Sequence, residues 1–263
     1  MLRDILNNLT LLRLLVYRDF KARYAGSVLG ITWNVLHPFF LILVYILVFG
    51  KVMQSKTGST GVAYSAYALH LCAGIVPWMM FAEVLSRSLH TVLENAGFVK
   101  KLQFPALILY LATLINALII NSISTLVLIG LLWAVGAPIG FSVVFSFALL
   151  TAVGLLALGL GLFLSVLNVY LRDIGQVVAI ALNFGFWFVP IVYYLDMLPA
   201  RFQTLLKYNP LLYFVAANQN LFSDKSVFFN PEDLLLVVML PLVSVGFGYW
   251  FFTRHQYELV DEL

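Results

Sequence analysis

Six stretches of this chain are each apolar enough to cross a bilayer, and no other feature limits the possible folds so severely. A hydrocarbon core about 30 Å thick takes about 20 apolar residues in helical form. Suitable stretches lie at about 28–50, 63–86, 105–135, 141–169, 175–194 and 233–252. The third and fourth exceed the required length, which predicts tilt or extension into water. The rest of the chain offers no escape to a soluble fold: 62% of its 263 residues are hydrophobic, 10% are charged and the mean hydropathy is +0.98. A soluble domain of this size needs far more charge to cover its surface. The expected fold class is therefore an all-α integral membrane protein, with residues 1–263 as a single transmembrane domain. A net charge of +3 is too small to suggest a nucleic-acid partner, and basic residues in such a chain mostly report topology. The single cysteine, Cys72, excludes an intrachain disulfide and reads as a small buried hydrophobe.

The N-terminal stretch MLRDILNNLTLLRLLVYRDFKARYAG does not read as a secretory signal, because its charges are spread through it and no small-residue cleavage site follows. At helical spacing Leu2, Ile5, Leu6, Leu9, Leu12, Val16 and Phe20 share one face, with Arg3, Asn7, Arg18 and Lys21 opposite, while Leu11, Leu14 and Leu15 blur the pattern. This predicts an amphipathic helix over residues 1–25 lying in the membrane interface. Six spans put both termini on one side. Of the 15 Lys and Arg residues, ten (Arg3, Arg13, Arg18, Lys21, Arg23, Arg87, Lys100, Lys101, Arg172 and Arg254) fall on the N-terminal side. Five (Lys51, Lys56, Arg201, Lys207 and Lys225) fall on the other. The positive-inside bias makes both termini cytoplasmic.

Two connections between spans carry structure of their own. After the second span, EVLSRSLHTVLENAGFVKKLQFP places Leu85, Leu89, Val92, Ala96 and Val99 on one stripe, with Glu83, Arg87, His90 and Glu94 opposite. Glu83 and Arg87 stand in the favourable i,i+4 order. This predicts an amphipathic helix on the cytoplasmic face near 87–101, ended with the help of Gly97 and Pro105. After the fifth span, residues 195–231 are too polar to span and too apolar for a free loop. Pro199 and Pro210 are each suited to start a short helix. The expectation is two half-helices dipping into the outer leaflet, which requires protein or a water-filled cavity to cover them.

The chain has no Gly-x-x-x-x-Gly-Lys-Ser/Thr loop, so it does not hold ATP in that manner. It has no His-Glu-x-x-His or Gly-x-Ser-x-Gly motif, and His37, His70, His90 and His255 are too scattered to hold a metal. What it has is aromatic residues, 15% of the chain, crowded into FFLILVYILVF, IVPWMMF and NFGFWFVPIVYY. Belts at the membrane interface account for many of these. Phe184, Phe186, Trp187, Phe188, Tyr193 and Tyr194, however, occupy more than one side of the fifth span. Sugar rings present apolar C–H faces, and an aromatic wall formed by Phe40, Trp78, Phe184, Trp187, Phe188 and Tyr193 would suit a sliding glycan.

These residues resemble a known family. RYAGSVLGITWNVLHP at the first span, GIVPWMMF in the second and FPALI at the head of the third are followed by LNVYLRDI, FWFVPIVY and YNPL in the same order. That series is similar to the membrane subunit of polysaccharide-exporting ABC transporters, the O-antigen, capsule and teichoic-acid export permeases. His37 before Pro38 is a modest departure. The resemblance implies two such subunits with two copies of a separate P-loop ATPase, which binds ATP and magnesium, so that this chain needs no cofactor and is not itself an enzyme. The implied substrate is a glycan on a polyprenyl diphosphate, moved outward across the bacterial inner membrane. Lys21, Arg23, Tyr24, Gly26, Gly30 and Trp33 then form the substrate entry, the two glycines allowing a tight loop at headgroup depth. Arg87, His90, Glu94, Lys100, Lys101, Arg172 and Asp173 are the expected coupling residues toward the ATPase, Arg172 and Asp173 reading equally well as a cap at a helix junction. Two other readings are a polyprenyl-linked glycan ligase or polymerase, and an ABC permease for a drug or small lipid. The first wants a large external loop bearing acid and base, whereas Asp196, Arg201, Lys207 and Asp224 are thinly spread. The second usually carries a larger domain between the first two spans than KVMQSKTGSTGVA provides.

Overall fold

The computed structural model describes residues 8–44, 62–100, 105–134, 140–222 and 231–262, and all regular structure among them is helical. In chain order the helices are α1 (Leu9–Arg23), α2 (Trp33–Val44), α3 (Val62–Glu94), α4 (Ala96–Val99), α5 (Leu107–Ala134), α6 (Phe145–Tyr170), α7 (Asp173–Gly185), α8 (Ala200–Leu206), α9 (Pro210–Phe222) and α10 (Pro231–Glu262). Four contain segments long and apolar enough to cross a bilayer: Leu69–Glu94, Leu107–Leu131, Phe145–Tyr170 and Glu232–His255. Residues 1–7 of the expected interface helix, the end of the first span, the loop through residue 61, Lys101 and residues 223–230 lie outside the described residues.

Helix α6 is the core. It packs against α3, α5 and α10, and three glycines set how closely. A Cβ on Gly159 would strike the backbone and hydroxyl of Ser244 in α10, one on Gly154 would strike Met80 and Leu114, and one on Gly161 would strike Ser88. Small residues at these points let the helix backbones approach each other, the usual basis of association in lipid, where hydrophobic burial gives little help. The Ser244 hydroxyl donates to the Leu156 carbonyl at 2.9 Å across the same contact.

Where the structure differs from the sequence reading, the reasons are local. The stretch expected as a separate surface helix near 87–101 mostly continues the second span. Helix α3 runs 33 residues unbroken, about 50 Å at 1.5 Å per residue, and only Ala96–Val99 is set off as α4. The stripe Leu85, Leu89, Val92 and Val99 is buried, but against the bundle rather than along a membrane surface. The fifth span was expected to reach residue 194; α7 instead gives way to a 3₁₀ turn at Phe186–Phe188. Val189 beyond it is extended, as expected of the residue before Pro190. Tyr193 and Tyr194 are thus not on one helix with Phe184. Helix α1 also turns a different face inward. Leu15 is buried and Leu11, Leu12 and Val16 pack with it, while Leu9, Leu14 and Tyr17 are exposed. The leucines that blur the amphipathic pattern arise because α1 has an apolar face toward α5 as well as an outer one.

Side-chain contacts fix the ends of the bundle. Asp19 pairs with Arg87, Asn168 reaches the Leu89 carbonyl and Tyr170 donates to Glu258. The N-terminal helix, the far end of α3, the α6–α7 turn and the end of α10 therefore share one end. At the opposite end α9 packs against α3 and α6 and buries Phe214 and Asn218.

Candidate functional site at the head of the first span

The chain leaves α1 at Arg23 through a turn that depends on two glycines. Gly26 has φ 79° and Gly30 φ 51°, the left-handed region where a side chain is strained. The Gly30 N–H donates to the Ser27 hydroxyl at 3.2 Å, and the Ser27 N–H donates to the Tyr24 carbonyl at 3.1 Å. The glycines act through backbone conformation: among the described residues a Cβ at either would meet nothing within 4 Å, so no described residue packs closely across Gly26-x-x-x-Gly30. The loop leaves Val28, Leu29 and Trp33 exposed. Tyr24 hydrogen-bonds Asn34, which is buried, and burial pushes the Tyr24 phenol above its ordinary value, so it serves as a neutral donor. This bond ties the end of α1 to the first turn of α2.

Lys21 is exposed and makes no ion pair among the described residues. Arg23 donates to Glu83 of α3 at 2.7 Å. One turn back on α1, Asp19 pairs with Arg87 and accepts from the buried Asn116 of α5 at 2.6 Å. Glu83 also accepts from Asn121 of α5 at 3.2 Å and lies 3.9 Å from Arg87. Arg18 reaches Asn95 at 3.2 Å and stands over the Phe98 ring at 5.3 Å. Asp19, Glu83, Asn116 and Asn121 were not singled out as site residues from the sequence. The i,i+4 pair Glu83–Arg87 was a sign of this network, and so were two asparagines inside the apolar run TLINALIINSIST.

The remaining site residues fall into two groups. Phe40, Phe184, Trp187 and Phe188 are exposed on α2 and at the end of α7. Trp78 is buried, its ring 5.8 Å from that of Phe186 and beside Gly185, so in this chain it is the joint between α3 and α7. The Tyr193 hydroxyl donates to the Trp187 carbonyl at 2.9 Å. On the end that carries α1, His90 lies beside Gly175. The Gly175 N–H donates to Asn168 at 3.0 Å, which brings His90 next to the turn that exposes Arg172 and Asp173. Glu94 and Lys100 are exposed nearby in the chain, and Arg87 is engaged with Asp19 as described.

At the opposite end a second polar cluster holds α9 in place. Asn218 donates to the Ala73 carbonyl at 2.6 Å and accepts from Ser146 at 2.6 Å. Gln219 donates to the carbonyls of Pro190 at 3.0 Å and His70 at 3.2 Å. These bonds satisfy polar groups that would otherwise be costly within the hydrocarbon. Among the described residues no group of three or more acidic, His or Cys side chains is placed to hold a metal ion.

Residues 10–222 match the family model of ABC-2 type transporters. The chain belongs to the ABC-2 type transporter family. This ABC-2 chain is 27% identical over 255 residues to an O-antigen export system permease protein, RfbA, of Klebsiella pneumoniae, covering 96% of this chain and 95% of the relative. It is 26% identical to the protein of the same name from Myxococcus xanthus, covering 100% of this chain and 99% of the relative. It is 23% identical to the polysialic acid transport protein KpsM of Escherichia coli over 76% of each. Family membership makes the chain an integral membrane transport component that works with a separate ATPase subunit.

Proposed function

We propose that this ABC-2 chain moves a polyprenyl-diphosphate-linked polysaccharide, an O-antigen or similar surface glycan, from the cytoplasmic to the external side of the inner membrane. Two copies would enclose the path, with two copies of the ATPase binding ATP and magnesium at the end that carries α1, His90 and Arg172. That end is taken as cytoplasmic on the positive-inside bias. The observation that carries the substrate reading is the loop after α1. Exposed Lys21 and partly exposed Arg23 sit beside a glycine turn that presents Val28, Leu29 and Trp33, a pairing of cations with apolar and aromatic surface that suits a diphosphate on a lipid with a sugar tail. The exposed faces of α2 and α7, including Val35, Phe40, Val177, Ile180 and Phe184, favour a second copy at those helices, since cyclic two-fold dimers are the commonest closed assemblies.

The test is glycan reaching the cell surface, normalised to assembled complex in the membrane. Lys21→Ala and Arg23→Lys are the informative variants. The second keeps a charge for Glu83 while replacing the two-pronged guanidinium with a point charge. Both should lower export at equal abundance. Normal export by both would remove these cations from the substrate site.

A further inference from the structure

Two charged pairs join α1 to α3, and they are not equivalent. Asp19 and Arg23 stand one turn apart on α1, as do Glu83 and Arg87 on α3, and opposite signs meet across the gap. The Asp19–Arg87 pair is fixed to a third helix by Asn116, which is 1% exposed and donates at 2.6 Å. The Arg23–Glu83 pair is lopsided. Glu83 has two further partners, Asn121 at 3.2 Å and Arg87 at 3.9 Å, whereas Glu83 is the one ion-pair partner of Arg23 among the described residues. Separating them leaves Glu83 held by Asn121 and Arg87, and leaves Arg23 with the neutral Tyr24 hydroxyl beside it in place of a charged partner. Arg23 is also the more open of the two, its side chain 37% exposed against 17% for Glu83, and it is the last residue of α1, directly before the loop.

Carboxylate and phosphate are gripped by the same guanidinium fork. We infer that Glu83 is a specificity-determining stand-in for the substrate's diphosphate: it occupies Arg23 while the entry is empty and yields it only to a more highly charged anion, withdrawing onto Arg87 and Asn121. This rests on the reading of Arg23 as a substrate contact. The reason for such a device is competition. An entry at headgroup depth is surrounded by phospholipids carrying one negative charge at most on each phosphodiester, and a bare arginine would be occupied by them. A carboxylate of equal charge, already held in place, matches that attraction without the entropy loss of capturing a lipid. A diphosphate carries more charge and outbids it. Glu83 thereby sets a charge threshold for entry.

The experiment uses the assembled transporter in nanodiscs of phosphatidylethanolamine with a graded fraction of phosphatidylglycerol, and undecaprenyl diphosphate as the probe. Wild type and Glu83→Asp should bind the probe with little dependence on phosphatidylglycerol. Glu83→Gln should bind it on the order of five-fold more tightly when phosphatidylglycerol is absent, the factor expected from losing a competing ion pair worth about 1 kcal/mol. It should lose that advantage as phosphatidylglycerol rises. Arg23→Ala should bind weakly throughout. Where Glu83→Gln reduces the yield of complex, affinity is read per assembled complex. An unchanged or weaker affinity for Glu83→Gln, insensitive to phosphatidylglycerol, makes Glu83 a purely structural residue and overturns the inference. Wild-type binding by Arg23→Ala refutes the substrate-contact reading itself, a separate result from the first.

Discussion

Replacing Gly159 with alanine is the sharpest test of the packing, because the structure fixes both the sign and the rank of the effect. In an open helical position Gly→Ala gains about 1 kcal/mol of helix propensity. Gly246 on α10 has nothing within 4 Å of an added Cβ, so Gly246→Ala should be neutral or stabilising. At Gly154 the atoms in the way are the far ends of Met80 and Leu114, which move by rotamer change. The strain should roughly cancel the propensity gain. At Gly159 the first obstacles are the carbonyl carbon and oxygen of Ser244, and no rotamer relieves a backbone clash. Overpacking of this kind takes about 1–3 kcal/mol. The upper end applies here, for a net loss of about 2 kcal/mol after the propensity gain. Gly248 meets the Gly159 carbonyl from the other side and should behave alike. Thermal unfolding midpoints of the purified transporter in nanodiscs should therefore fall in the order Gly246→Ala, Gly154→Ala, Gly159→Ala. A Gly159→Ala midpoint equal to that of Gly246→Ala would mean that α6 and α10 do not approach as described.

Gly30→Val should lower the amount of assembled transporter in the membrane, whereas Gly30→Asn should be better tolerated because asparagine enters the left-handed region more readily; quantitative immunoblotting of membranes separates the two. Asn218→Leu strands the Ser146 hydroxyl and the Ala73 carbonyl, and should lower the unfolding midpoint by an amount corresponding to about 1–3 kcal/mol. Arg87→Gln leaves Asp19 without its cation, and should loosen α1 so that limited proteolysis cuts within residues 8–23 sooner than in the wild type. Trp78→Ala removes the ring between α3 and the Gly185 turn, and should speed hydrogen exchange in α7 more than in α6.

The apolar runs made the helices legible, since hydropathy over about 20 residues needs no knowledge of neighbours. The third and fourth spans match α5 and α6 closely for that reason, and the sixth matches the apolar segment Glu232–His255, which α10 carries on to Glu262. The end of the fifth did not, because Phe186 to Tyr194 is as apolar as helix and only Pro190 hints at the break. Nor does sequence tell a stripe that faces a membrane surface from one that faces a bundle, and α3 carries its stripe straight on. The entry loop was readable from Gly26 and Gly30, whose meaning is local. The partners of Arg23 and Arg87 were not, because Asp19 is 68 residues from Arg87 and Asn116 is 97 from Asp19. Pairings that distant depend on how helices are arranged around α6, and the glycines that arrange them look in sequence like ordinary members of an apolar run.

The short helix α7 has a consequence for the lipid around it. From Asp173 through the 3₁₀ turn ending at Phe188 the helical rod is about 25 Å long, less than the hydrocarbon thickness of about 30 Å that its neighbours match. The chain then leaves the helix through extended Val189 and a tight turn at Pro190 and Ile191, all three buried in the protein. Where a second copy does not cover this end of α7, lipid would meet too little apolar wall on one leaflet and relieve the mismatch by thinning. A thinned annulus at the aromatic end of α7 would shorten the distance over which the proposed transport carries a charged headgroup through oil.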